Sequence, residues 1–499
     1  VTDLDGRYSI TLGSGESVLV FSFLSYLSQE IAVGDRTEVD VLLVPDHTAL
    51  EEVVVIGYGT SRKEDLTGSV ATVKMSEVAD TPVLSIDQAM QGRIAGVDIM
   101  STTGEPGATT SIRVRGTRSI TASNEPLIVV DGVMDAIDDL ADLNSDDIES
   151  ISVLKDASST AIYGSRGANG VILITTKTGK TEKVNVNVKA EAGAAWMAKK
   201  LDLMNKDEYL RYWNAYKRGV SKVFTPVEDP EDYSSDTDWL GAISQVAPYQ
   251  NYNVSASSKT KGHTWFTSLS FTDMRGIVKD TGVQRVSGRF NFSHDFTKWL
   301  TVGWKISTSY RKTDLSKAVF SGSGYSNGAI YLPPIIGPMD TTNPRVENGS
   351  LINTPVASIE YEDYYKTQWY NTDAMEFTIK PVKGLVINSQ NSVRLTQNHL
   401  YHFWPNDLPK RRDEEGSEAL KTEGEGLLLS TENTITYTAK FNRRHNLKVM
   451  AGYSASRNTN ANTSVRADGL VMDDLLWNNL NGISSKENYT ISSGKTQVT

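Results

Sequence analysis

The chain has 499 residues, 39% of them hydrophobic and 22% charged, with a formal net charge of −11 and no cysteine. The acidic balance argues against a nucleic-acid binder, which needs a basic face to neutralise phosphates, and the absence of cysteine excludes disulfide scaffolds, thiol catalysis and cysteine-based zinc sites in this chain. No apolar run reaches the roughly 18 residues of a membrane-spanning helix, which leaves a barrel open, because barrel strands alternate and keep mean hydropathy low.

Residues 1–46 read as a small, truncated β-sandwich module. Apolar alternation or short apolar runs recur at Tyr8–Leu12, Val18–Leu24 and Val39–Val44, between Gly, Asp and Ser turns. Three strands are few for an independent sandwich, so its first strands are expected to be missing. Both chain ends, VTDLDGRYSITL and SSGKTQVT, read as cuts from something longer. After a break at Pro45–Thr48 comes Glu52-Val53-Val54-Val55-Ile56-Gly57, in a linker spanning 47–60. Its four consecutive β-branched residues favour an extended backbone, which the glycine stops. Such a segment can add as a strand to a partner's sheet edge, with main-chain hydrogen bonds supplying the grip. The plainer alternative is an ordinary linker strand.

Residues 61–182 read as a compact α+β domain. Ser85–Gly92 suits a short helix, with Ser85 at the N-cap, Gln88 three residues on and Gly92 as terminator. Strands are expected at Ser111–Arg115, Leu127–Val130, Ile148–Leu154 and Val171–Lys177, with a helix at Ala157–Tyr163. Arg113 and Arg115 share one strand face and Arg118 follows. These three either bind an anionic substrate or hold the domain in place by pairing with acidic neighbours. Gly164, Gly167 and Gly170 are spaced G-x-x-G-x-x-G before a strand, which is wrong for a phosphate loop and right for tight turns. The acidic stretch Asp135, Asp138, Asp139, Asp142, Asp146, Asp147 and Glu149 has none of the glycine spacing of a calcium loop. It reads as a solvated face with helix caps.

From 183 to the end the chain alternates strictly. In Leu300–Tyr310 one face carries Leu300, Val302, Trp304, Ile306, Thr308 and Tyr310, and the other Thr301, Gly303, Lys305, Ser307 and Ser309. Val286, Phe290 and Phe292 likewise oppose Ser287, Arg289, Asn291 and Ser293, and Leu447, Val449 and Tyr453 oppose Lys448, Gly452 and Ser454. Weaker copies lie at 184–196, 249–258, 263–273, 368–380, 384–396 and 426–440, with a further one at 461–470. Short turns at 259–262, 295–298, 381–384 and 442–446 alternate with long connections at 197–248, 312–366 and 397–425, and a shorter one at 274–283. Long strands, short turns on one side and long loops on the other are the pattern of an outer-membrane barrel rather than a soluble sandwich.

At this point several segments resemble one family. EEVVVIGYGTSRKEDLTGSV (51–70), GRIAGVDI (92–99), IRVRGTRSI (112–120), PLIVVDGV (126–133) and DDIESISVLKDASSTAIYGSRGANGVILITTKTGK (146–180) are similar to the plug region of SusC/RagA-type TonB-dependent outer-membrane transporters. TDWL (237–240) and the segment 271–303 resemble that family's first barrel strands, and residues 1–46 its carboxypeptidase-regulatory-like module. The resemblance implies a mainly β protein: a transmembrane antiparallel β-barrel of about 22 strands, with an α+β plug domain inside it. Nine or ten of those strands are readable here, so residues 183–499 are expected to be the first part of the barrel. It implies location in the bacterial outer membrane, in contact with its lipid, and import of an oligosaccharide or peptide driven by the TonB complex beneath a SusD-like surface lipoprotein. Glu52, Val53, Val54, Val55, Ile56 and Gly57 then stand as its TonB box, and Arg113, Arg115 and Arg118 as plug–barrel contacts. No nucleic acid, cofactor, metal or catalytic group is implied, and no nucleophile–base constellation is visible. His399 and His402 lack a third ligand nearby. Competing functions are a signalling receptor, a siderophore-type receptor and a surface adhesin or accessory module.

The long connections carry aromatic residues suited to a substrate or a lid. Asn205–Lys217 reads as a helix with Asn205 at the N-cap and Glu208 three residues on, bearing Tyr209, Tyr212, Trp213 and Tyr216. Tyr325, Tyr331, Leu332, Pro333, Pro334 and Ile335 form a second aromatic and proline-rich loop. Aromatic rings stack on sugar faces, but they also pack against partners or form membrane girdles.

Overall fold

The computed structural model describes residues 8–10, 18–21, 29–34, 36–43, 53–56, 59–62, 70–77, 86–101, 103–108, 110–121, 123–220, 229–315, 317, 328–342, 351–412, 416–441, 445–478, 480, 483 and 489–498. In the first module β1 (Val18–Phe21) and β2 (Gln29–Ala32) form an antiparallel hairpin. The described parts of the other two expected strands, residues 8–10 and 39–43, are not in strands, although the Tyr8 hydroxyl donates to the Val39 carbonyl at 2.8 Å. In the linker β3 (Val53–Ile56) pairs antiparallel with β4 (Gly59–Arg62).

The next unit is built on β5 (Val70–Lys74), α1 (Ile86–Met90), β6 (Val97–Ser101), β7 (Thr110–Val114), β8 (Leu127–Val130), β9 (Val133–Met134), β10 (Ile148–Leu154), α2 (Ala157–Thr160) and β11 (Val171–Thr176). The sheet order is β5-β10-β11-β8-β9, with β11 and β8 parallel and β6–β7 a separate hairpin. The near-continuous β-branched runs of β8, β10 and β11 are those of strands covered on both faces. Ile148, Ile151, Val153, Ile172 and Ile174 are buried on one side with Ile86 and Met90, and Leu154, Val171 and Tyr163 on the other. The expected helix at 157–163 is interrupted: α2 passes into a 3-10 turn that kinks at Gly164, whose φ is +58°.

Ten consecutive antiparallel strands follow: β12 (Asn185–Ala195), β13 (Ala247–Thr260), β14 (His263–Arg275), β15 (Gly282–Asp295), β16 (Leu300–Asp314), β17 (Asp363–Ile379), β18 (Leu385–Trp404), β19 (Ser417–Phe441), β20 (His445–Leu470) and β21 (Tyr489–Val498). Period-two alternation sets the register, since a slip of one residue would exchange the two faces. On β14, for example, Leu269 is 62% exposed while Ser268, Ser270 and Thr272 are buried. The apolar face lies outside and the polar face is covered from within. The expected long connection 397–425 is largely strand: β18 runs to Trp404 and β19 starts at Ser417, and the described residues between them include the short helix α6 (Pro409–Arg412). The segment 461–470 is the end of β20 rather than a strand of its own, and the tenth strand is β21.

At the long-loop end the connections have a core of their own. They carry the helices α3 (Lys206–Val220), α4 (Trp239–Ile243) and α5 (Pro355–Tyr361). Leu210, Trp239, Leu240, Ile243, Ile335 and Ile336 are buried together. Trp239 Nε1 donates to the Pro333 carbonyl at 3.1 Å and Thr237 N to the Pro334 carbonyl at 2.9 Å, joining the TDWL segment to the proline-rich loop. On α3 the expected cap is present in both directions: Glu208 N donates to Asn205 Oδ1 at 3.0 Å and Asn205 N to Glu208 Oε2 at 3.1 Å.

Candidate functional site

The inward face of the strands meets the α+β unit through charge. Arg289 lies 3.6 Å from Asp131 and 3.7 Å from Asp147, Arg311 3.3 Å from Asp142, Arg394 2.7 Å from Asp138 and Lys189 3.0 Å from Asp146. Neutral hydrogen bonds fill the seam between them. Asn291 donates to Thr176 Oγ1 at 2.9 Å and the Lys177 carbonyl at 3.1 Å, Thr372 to the Ala136 carbonyl at 2.9 Å and Gln390 to the Asp131 carbonyl at 3.0 Å. Arg285 donates to the Leu143 carbonyl at 3.0 Å and to the Ala141 carbonyl. Burial raises Asp142 to about 6 against the pull of Arg311, and raises Asp147 against that of Arg289.

This corrects the reading of the acidic stretch. Asp139 does cap Ala141 and Asn144 caps Asp146, but Asp142 and Asp147 are buried and Asp138 and Asp146 pair with the wall. The stretch is the docking face rather than a solvated one. The three arginines expected to make plug–barrel contacts have their described partners inside the α+β unit: Arg115 pairs with Asp156, Arg113 donates to Thr117 Oγ1 at 3.2 Å, and Arg118 donates to the Ala168 carbonyl. The pairing therefore has the opposite sense, with acids on the plug and bases on the wall. The signal that could have located the bases is the alternation itself, which puts Arg289 and Lys305 on the polar faces of β15 and β16.

Between this docking seam and the long loops lies a cavity of ≈ 400 Å³. Its floor is the β6–β7 connection, with Glu105 and Gly107, and its wall includes Trp196, Tyr249, Arg285 and Arg311. Gly107 has φ +71°, and a Cβ there would meet Val283 Cγ2 at 3.0 Å, so the connection approaches the wall as closely as a glycine allows.

The aromatic candidates separate. Tyr209 packs against the loop core, while Tyr212 and Tyr216 stand half-exposed, with Trp213 and Tyr216 stacked at 5.5 Å. Tyr331 is 74% exposed and Tyr325 lies outside the described residues. Of the expected TonB box, Val53, Val54, Val55 and Ile56 form β3, and Glu52 and Gly57 lie outside the described residues. His402 Nε2 lies 3.1 Å from Glu362 and the ring stacks between Tyr364 and Trp404, at 3.9 and 3.5 Å. Among the described residues no cluster suits a metal ion.

Comparison with known proteins gives the same picture. The model of the TonB-dependent Receptor Plug Domain matches residues 62–171. TonB-dependent receptor P26 of Formosa agariphila is 35% identical over 505 aligned residues, covering 98% of this chain and 50% of that protein. TonB-dependent receptor SusC of Bacteroides thetaiotaomicron is 38% identical over 307, covering 59% of this chain and 29% of that protein. The chain thus spans about half the length of the curated relatives P26 and P3. Among solved structures, the RagAB peptide importer in its open-open state superposes with a TM-score of 0.78 at 26% identity, over 89% of this chain and 53% of that one. The unliganded ferric citrate transporter FecA, at 11% identity and a TM-score of 0.56 over 89% of this chain and 55% of that one, shares the fold.

Proposed function

Because the chain belongs to the SusC/RagA type of TonB-dependent outer-membrane transporter, a family of receptors and transporters rather than enzymes, we propose that it imports an oligomeric nutrient, an oligosaccharide or a peptide, by TonB-driven movement of its plug. The observation that carries this reading is the cavity of ≈ 400 Å³ between the plug connection at Glu105–Gly107 and the barrel wall, below the packed loops. A ligand seated there touches both the part that must move and the part that stays. Contact with the Glu105–Gly107 connection displaces β6 and β7, and the charged seam below them is the next to yield. TonB grips the Val53–Ile56 strand by adding it to its own sheet edge, which requires β3 to leave β4. A SusD-like lipoprotein lids the barrel over the long loops, where α3 presents Tyr212 and Tyr216.

The test is Val54→Pro or Val55→Pro in the full-length protein. Proline removes a backbone donor and blocks strand addition. Uptake of the nutrient is expected to fall to the level of a TonB-deficient cell while the amount of protein in the outer membrane stays constant. Undiminished uptake by either variant would refute the assignment of the box.

A further inference from the structure

The described ion pairs between plug and wall all place the carboxylate on the plug. The wall at plug depth therefore holds the opposite charge. Lys189, Arg285, Arg289, Lys305, Arg311 and Arg394 project inward from β12, β15, β16 and β18, against Glu191, Glu376 and the buried Glu432 of β19 on the same face. Arg285 meets two backbone carbonyls, and among the described residues no carboxylate lies within ion-pair distance of it. Lys305 likewise reaches a plug carbonyl, that of Asp131, at 3.3 Å. While the plug is seated, Asp131, Asp138, Asp142, Asp146 and Asp147 cover this basic surface. When the plug moves its aspartates leave with it, and the wall they uncover carries a net positive charge in a low-dielectric channel. There the field is focused and acts on whatever passes.

We propose that this uncovered wall is a cationic track, and that the imported oligomer carries carboxylate or sulfate groups that replace the plug's aspartates on it. The proposal rests on the transporter reading above and narrows its substrate to an anionic class. Such a ligand offsets the cost of opening, because each wall base that loses an aspartate gains another anion instead of remaining partly buried and unpaired. Arginine suits the exchange, since its planar fork binds carboxylate and sulfate oxygens in pairs.

The chain has no cysteine, so one can be placed on the wall as a probe of local potential. Ser392 projects inward from β18 beside Arg394, buried under the plug. In Ser392→Cys full-length protein, otherwise free of cysteine and held in outer-membrane vesicles, the plug is loosened by Asp138→Asn, alone and with Asp142→Asn and Asp147→Asn. The thiol is then modified with an anionic sulfonatoethyl or a cationic trimethylammonioethyl methanethiosulfonate. Relative to a free thiol, the anionic reagent is expected to be favoured about tenfold or more. The preference should fall toward the free-thiol value on adding Arg289→Gln and Arg394→Gln. Equal or cationic preference overturns the proposal, as does a thiol that stays unreactive in every plug variant. Oligogalacturonate and oligoglutamate serve as competitors to distinguish a carboxylated glycan from an acidic peptide. Equal protection by neutral maltohexaose also overturns the anionic class. Uptake of every tested oligomer that is unchanged in cells lacking the protein would remove the transporter reading without changing the thiol ratio, so the two failures are separable.

Discussion

Arg311→Met isolates one pair of the plug–barrel seam. Arg311 and Asp142 have side chains only 3% and 1% exposed, and the arginine also donates to Gln368 Oε1 through Nε at 3.1 Å. Methionine keeps most of the volume and removes the charge, leaving Asp142 in a site whose burial already raises it from 3.8 to about 6 with the arginine present. Without that opposing pull the carboxyl rises further and is protonated at neutral pH in the docked state. The docked wild-type carboxyl already costs about 3 kcal/mol at pH 7 by being raised from 3.8 to about 6, and keeping it protonated at pH 7 costs about 4, so the titration-linked defect of Arg311→Met is the difference, about 1.4 kcal/mol at pH 7. The sign of the pH dependence follows. A carboxyl raised on docking contributes fully below 3.8 and loses its contribution as pH rises through its docked value. The Arg311→Met defect should therefore shrink by about 1.4 kcal/mol as pH is lowered from 7 to 6 and stay level from 6 to 4, where wild type and variant both dock the protonated carboxyl. Hydrogen exchange of the β10 amides, in the full-length protein in detergent, reads plug release directly. Adding Asp142→Asn to Arg311→Met should recover most of the loss, because both partners are then neutral. Exchange rates that ignore pH, or a double variant as labile as the single one, would refute the reasoning.

Three other perturbations address separate parts of the structure. Trp239→Ala empties the centre of the loop core and frees the Pro333 carbonyl. It should cost that core about 3–5 kcal/mol, seen as faster proteolysis in the long loops with unchanged membrane insertion. Gly170 has φ +92°, and a Cβ there would meet Val114 Cβ at 2.9 Å. Gly170→Ala should destabilise the plug by about 1–3 kcal/mol, measured as a lower denaturant midpoint for plug release. On β14, Leu269→Arg places a charge on the lipid side, at up to ~2–4 kcal/mol near the midplane. Ser270→Arg next to it is expected to insert normally and instead disturb plug docking, so folding into vesicles of defined thickness separates the two faces.

The strands were readable from sequence wherever one face is apolar and the other polar. Leu300–Tyr310 alternates because its odd residues face the plug and its even residues face lipid, and the ladder β12 to β20 follows that rule. The signal fades where both faces are covered or both are polar. Val70–Lys74 and Val97–Ser101 were missed because they are short and lie within a mixed domain. Residues 397–425 read as a loop because, past the membrane, the extended strands face water on one side and loops on the other, and no apolar stripe remains. The α3 cap was recoverable because its two hydrogen bonds join residues three apart.

The docking seam was not recoverable in the same way, and the reason is the distance in sequence between its halves. Asp142 and Arg311 are separated by 169 positions, and Asp138 and Arg394 by 256. Each half alone has a bland explanation: the aspartates sit in a run that also contains helix caps, and the arginines sit singly among Ser, Thr and Asn on a polar strand face. A run of acids on a surface is normally solvated, but a plug inside a barrel has almost no free surface, so its charges must be paired or neutralised. That constraint fixes where the bases have to be. Inward positions of β15 and β16 face Asp142 and Asp147 at close range, and it is there that Arg285, Arg289 and Arg311 are found. Arg113, Arg115 and Arg118 drew attention because they cluster in sequence, yet Arg115 already has Asp156 and Arg118 the Ala168 carbonyl within the same domain. For a domain enclosed by another, dispersed charges on the enclosing wall are therefore better guides to the contact than a local cluster on the enclosed one.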